Sequence, residues 1–235
     1  MQWNLPNTLT LSRLIAALML VAVYLIFPRP VSDWLGVTLF AFAAVTDYLD
    51  GALARRWGQV TGFGRMMDPI ADKAMTILAL LLLVSLLGGL SIRIGGAYFD
   101  QGTLVLIPAA LIIFREVFVS GLREFLGARA TGLPVTRLAK WKTTVQMLAI
   151  LVLIAQGLFE HYYGVLAFGF TPEQVQAILN GEAEDLFGLR WKYNGFLAAQ
   201  NIGLSLLWLA AALTLVTGYD YLRKAWPHVA EEEAP

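Results

Sequence analysis

The chain has 235 residues, of which 58% are hydrophobic and only 14% charged, with mean hydropathy +0.65 and zero net charge. Soluble domains carry about 25% charged residues, so these values exclude an ordinary water-facing surface, and the absent basic excess argues against a nucleic-acid partner. There is no cysteine, which removes disulfides, thiolate nucleophiles and Cys-based metal sites, and His161 and His228 are too few for a His-rich zinc site.

Taken in chain order, the apolar blocks predict six membrane-spanning helices, at roughly 11–27, 34–54, 69–90, 103–125, 141–160 and 196–222. The first follows Arg13 and is closed by Pro28 and Pro30; no small-residue cleavage pattern follows, so it reads as a retained span. Gly88 and Gly89 weaken the end of the third. The fourth is interrupted by Arg115 and Glu116, an expensive pair in lipid. With the N-terminus in the cytosol, 13 of the 17 Lys and Arg residues fall on the cytosolic side, and only Arg29, Arg93, Arg190 and Lys192 on the other. The positive-inside bias therefore puts both termini in the cytosol. Residues 91–102, with Gly95-Gly96 and Asp100, and residues 161–195 are more than simple turns. Thr171-Pro172-Glu173 predicts a short helix near 172–180. Residues 224–235 form a C-terminal tail, in which Glu231-Glu232-Glu233 reads as a solvated, frayed end. With no repeat and no second domain, the expected fold is a single all-α membrane-embedded catalytic domain.

The chemistry-bearing segment is residues 47–73. Asp47 and Asp50 are three apart near the end of the second span, and Asp68 and Asp72 four apart at the start of the third. Each pair shares a helix face, and the short loop between the helices can bring all four together. Four close carboxylates raise one another's pKa, a conflict that divalent cations resolve. Oxygen-only donors suit two Mg²⁺ or Mn²⁺ ions rather than Zn²⁺. Gly51 and Ala54 leave room for a ligand, Arg55 offers a guanidinium fork to phosphate, and Gly64 suits a sharp helix entry or close substrate approach. The plainer alternative pairs these acids with Arg55, Arg56, Arg65 and Lys73 in a polar helix–loop–helix.

These residues fill every fixed position of D-x2-D-G-x2-A-R-x8-G-x3-D-x3-D, eight positions over 26 residues, and so resemble the CDP-alcohol phosphatidyltransferases. The resemblance implies a six-helix membrane protein, commonly a homodimer, that moves a phosphatidyl group from a CDP-linked lipid to an alcohol and releases CMP at the cytosolic interface. It implies Asp47, Asp50 and Asp68 as metal ligands and Asp72 as ligand and general base. Gly51, Ala54 and Arg55 would line the cytidine diphosphate site, extended here to Asn7, Thr10 and Gly64. Asn7 and Thr10, with Arg13, read equally as a helix cap and interfacial anchor.

Three further stretches, from Asn4 to Arg13, from Arg115 to Glu124 and from Lys140 to Met147, resemble family members that use glycerol 3-phosphate as acceptor and CDP-diacylglycerol as donor. Glu116, Ser120 and Arg123 share one face of the fourth helix. Arg115, Arg123, Lys140 and Lys142 are candidates for the acceptor phosphate, against the alternative that the lysines only set topology and touch lipid headgroups. The sibling reading takes an inositol phosphate, serine or phosphatidylglycerol as acceptor; a cation-coupled transporter is the reading from another class. A bacterial plasma membrane, with the site facing the cytosol, fits the whole.

Overall fold

The computed structural model describes residues 5–57, 61–127 and 137–232, with backbone alone at 6, 48–57, 65, 137, 139–140 and 228–232. The elements in order are α1 (Leu5–Ile26), α2 (Val31–Trp57), α3 (Gly62–Leu87), β1 (Ser91–Ile94), β2 (Ala97–Asp100), α4 (Gln101–Leu126), α5 (Arg137–Ala167), α6 (Pro172–Asn180) and α7 (Leu189–Glu232). Five stretches of described residues, in α1, α3, α4, α5 and α7, are long and apolar enough to cross a membrane. The side chains of α2 are described only to Asp47, and α2 is not among the five.

Sequence punctuation accounts for most helix ends. α1 stops two residues before Pro28, and α3 stops at Leu87, just before Gly88-Gly89. α6 occupies the predicted 172–180. Thr171 Oγ1 accepts from Gln174 N at 3.3 Å while Gln174 Oε1 accepts from Thr171 N at 2.9 Å, a reciprocal capping box with Pro172 in the first turn. α7 begins at Leu189, earlier than predicted, because the Asp185 carboxylate accepts from the backbone N–H of Leu189 (2.6 Å) and Arg190 (3.0 Å). Its helical backbone continues through Glu232, into the stretch expected to fray.

The described residues are mostly helical, as expected of an all-α membrane protein, with one local exception. Residues 91–100 form an antiparallel hairpin, Arg93 opposite Tyr98 and Ile94 opposite Ala97. Its two-residue turn is Gly95-Gly96, at φ +58° and +91°, the left-handed backbone that such a hairpin turn requires. Ile92 is buried while its strand neighbours are exposed. Asp100 then ends the hairpin and caps α4: its carboxylate accepts from Thr103 N (2.7 Å), Thr103 Oγ1 (2.9 Å) and Gly89 N (2.7 Å).

The chain divides into two compact units, the first of residues 1–83 and 150–203, the second of residues 84–149 and 204–235. In the first, α1 and α2 pack through Ala16, Ala17, Leu20, Phe40 and Ala43, with Met75, Leu80, Leu153 and Ile154 also fully buried. Small residues let the helix backbones approach. The α1–α2 connection is tied to α5 by Arg29, which donates to Asp33 Oδ2 (2.7 Å), Glu160 Oε2 (2.6 Å) and the Gly157 carbonyl (2.5 Å). The second unit buries Val105, Ile112 and Val119 of α4, and Leu207, Ala210 and Ala211 of α7.

Candidate active site

The acidic segment lies in the first unit, and α1 meets it with a polar face. Asn7, Thr10 and Arg13 recur every three residues, so they follow one side of the helix. They are 2%, 1% and 1% exposed in an otherwise apolar span. Thr61, just before α3, accepts from Gly64 N at 3.0 Å and donates its hydroxyl to Asn7 Oδ1 at 2.8 Å. Thr61 thus caps α3 and fastens it to α1. A Cβ at Gly64 would stand 2.9 Å from Asn7 Oδ1, so glycine is what permits this approach.

One turn further along α1, Thr10 Oγ1 donates to Asp68 Oδ1 at 2.6 Å. A turn beyond that, Arg13 Nη1 meets Asp47 Oδ1 of α2 at 2.5 Å and Asp72 Oδ1 of α3 in a shorter contact. Arg13 is buried, whereas the Asp47 and Asp72 side chains keep 32% and 49% of their exposure and Asp68 is exposed. The carboxylates are therefore gripped from below by a fixed cation and open on the other side. Two of the four motif acids, from different helices, converge on one nitrogen. The partner at their centre, Arg13, belongs to the cap-and-anchor reading of the sequence and not to the metal set.

The side chains of Asp50, Gly51, Ala54 and Arg55 lie outside the described residues, as do those of Arg56, Arg65 and Lys140. Among the described residues, no three His, Cys, Asp or Glu side chains are grouped closely enough to hold a metal ion. The donor types are those a hard divalent cation prefers, carboxylate oxygens in a segment without cysteine or histidine.

The second unit holds a separate ionic cluster, built on α4. Glu116 Oε1 accepts from Arg115 Nη1 at 3.1 Å and from Lys142 Nζ of α5 in a shorter contact. Arg115 Nη2 reaches Thr217 Oγ1 of α7 at 3.4 Å, and a Cβ at Gly218 would come within 2.9 Å of Arg115 Cγ, so α7 is pared back where the arginine passes. Arg123 has its guanidinium 5.2 Å from the Tyr221 ring centroid. Of the predicted phosphate-binding cations, the structure thus brings Arg115 and Lys142 together and holds Arg123 on an aromatic face. Glu116, Thr217 and Gly218 were not nominated from sequence. Only Glu116 left a signal, an acid beside an arginine within an apolar span.

Comparison with known proteins places the chain as a whole. Residues 3–173 match the CDP-alcohol phosphatidyltransferase family. A Cereibacter sphaeroides protein named CDP-diacylglycerol–glycerol-3-phosphate 3-phosphatidyltransferase is 47% identical over 234 residues, covering 99% of this chain and 100% of its own. Proteins of the same name from Haemophilus influenzae (34% identical; 96% of this chain, 95% of theirs) and Rickettsia bellii (33%; 94% of each) are similar over almost their whole lengths. With the acidic motif intact, its two helices joined at Arg13 and relatives matching end to end, the chain belongs to the CDP-alcohol phosphatidyltransferase family.

Proposed function

We propose that this protein transfers the phosphatidyl group of CDP-diacylglycerol to glycerol 3-phosphate, giving phosphatidylglycerophosphate and CMP. The observation that carries the reading is the convergence of Asp47 and Asp72, from the two helices of the complete eight-position motif, on a single buried cation. The full-length likeness to proteins named for this reaction supports the choice of acceptor.

In this reading the sn-1 hydroxyl of glycerol 3-phosphate attacks the lipid-side phosphorus, a new P–O bond forms, and the bond to CMP breaks. Asp72, half open to solvent at the mouth of the cluster, takes the hydroxyl proton. Asp47, Asp50, Asp68 and Asp72 would hold two Mg²⁺ or Mn²⁺ ions, whose charge neutralises the diphosphate and the departing CMP. Asn7, Thr10, Gly51, Ala54, Arg55 and Gly64 form the CDP site, where Gly51 leaves room for the ligand, Gly64 lets Asn7 approach and Arg55 donates to phosphate. Arg115, Arg123, Lys140 and Lys142 hold the acceptor's phosphate. Six spans with both termini in the cytosol, a homodimer and a bacterial inner membrane complete the proposal. The positive-inside distribution supports the orientation.

The test is CMP release by the purified protein with CDP-diacylglycerol and Mg²⁺, with glycerol 3-phosphate, serine, an inositol phosphate, phosphatidylglycerol or no acceptor. Release that requires both metal and glycerol 3-phosphate is expected. Metal-dependent release with another acceptor alone would keep the family and overturn the acceptor.

A further inference from the structure

Glu116 is absent from the groups that the sequence nominates for the acceptor, yet two of them meet on it. Its Oε1 accepts hydrogen bonds from Arg115 Nη1 and from Lys142 Nζ. The side chains of Glu116, Arg115 and Lys142 are 17%, 14% and 7% exposed, so water screens their charges little. Two cations and one carboxylate leave the cluster with a net positive charge.

The donors also outnumber the acceptors. A lysine ammonium offers three N–H groups and a guanidinium five. Among the described residues, Glu116 Oε1 and the Thr217 hydroxyl are the acceptors these two side chains have, and Arg115 Nε is buried with no partner. A cluster with positive charge and spare N–H groups suits an anion with several oxygens. Glu116 does not exhaust the donors, so such an anion would add to the carboxylate rather than replace it. What Glu116 does supply is the attraction that keeps two cationic heads side by side. Without it, like charges in a poorly screened site repel, and long basic side chains turn their heads toward water.

We propose that Glu116 is a positioning residue of the acceptor site, its carboxylate clamping Lys142 Nζ and the Arg115 guanidinium together in the arrangement that receives the acceptor's phosphate. This rests on the reading above that Arg115 and Lys142 hold that phosphate. Glu116 touches no reacting atom in this scheme; it acts through the two cations.

The experiment is steady-state kinetics of the full chain with CDP-diacylglycerol and Mg²⁺, comparing wild type with Glu116→Gln, Glu116→Asp and Lys142→Ala. Inorganic phosphate serves as a competitive probe against glycerol 3-phosphate. Glu116→Gln is expected to raise KM for glycerol 3-phosphate about tenfold and the phosphate inhibition constant in parallel, leaving kcat and KM for CDP-diacylglycerol within about twofold. Glu116→Asp, which keeps the charge on a shorter stem, is expected to recover part of the loss, and it serves alone if the Gln variant does not fold.

An unchanged KM for glycerol 3-phosphate in both Glu116 variants would overturn the proposal. So would a lowered KM, which would make Glu116 a competitor of the phosphate, or an equal rise in both KM values, which would make its role structural only. If Lys142→Ala raises that KM and Glu116→Gln does not, this inference alone fails. If wild type ignores glycerol 3-phosphate, or Lys142→Ala has no effect, the underlying reading fails.

Discussion

Arg13 carries a full charge at 1% exposure, and its tolerance of burial comes from Asp47 and Asp72, one on each flanking helix. Removing one partner of a buried ion pair costs about 3–5 kcal/mol; the figure is smaller here because water still reaches both carboxylates. Arg13→Ala is therefore expected to lower the unfolding midpoint by several degrees and to weaken turnover as the two acids repel. Asp72→Asn should behave in the opposite proportion. It keeps an oxygen for Arg13 to bond, so the midpoint moves little, but it removes the proposed base and abolishes CMP release. A thermal melt and a CMP assay on the two variants separate the roles, and full activity in Asp72→Asn would take the base assignment away from it. The acids themselves were legible in the sequence because their three- and four-residue spacings state a helix face directly. Arg13 was not assigned as their partner, since it lies 34 residues before Asp47 in the chain and no local spacing connects α1 to α3.

At the scale of elements, the helices were readable because a long apolar run between prolines or paired glycines admits few other structures. The α6 helix was readable to the residue because its cap chemistry is local: Thr171, Pro172 and Gln174 lie within four positions. The hairpin escaped for the complementary reason. Its strands are four residues each, too short to establish an alternation, and the decisive signal is the pair of positive-φ glycines. Asp100 joins this hairpin to α4 and to the end of α3, and the backbone N–H groups of Thr103 and Gly89 hold its carboxyl below the usual range. A carboxyl depressed in the folded state stabilises the fold above its unfolded pKa of about 4, and that contribution disappears as pH falls through the folded value. The midpoint of the wild type should therefore drop on acidification below about pH 4. Asp100→Asn should start lower at neutral pH and show a shallower acid drop; an identical slope in the two proteins would remove Asp100 from the account.

The proposed orientation of the whole molecule rests on where the cations fall, and the chain's lack of cysteine makes that proposal easy to examine. Tyr98 on the hairpin and Trp226 near the end of α7 are 73% and 62% exposed. In intact cells, a membrane-impermeant maleimide is expected to label Tyr98→Cys and not Trp226→Cys until the membrane is opened. Labelling of both from outside would break the assigned orientation. Arg13 has one more consequence at this scale. Many metal sites are clusters of acids that repel until an ion arrives, so that folding waits for loading. Here a resident positive charge, supplied by α1, already stands between two of the acids. In the proposed metal-dependent reading, assembly in the bilayer and recruitment of a divalent ion would then be separate events, the first needing only the polypeptide. If the proposed metal requirement holds, a chelated sample should keep its full helical circular dichroism while losing turnover, and should recover on adding Mg²⁺; loss of helicity on chelation would tie folding to the ion instead.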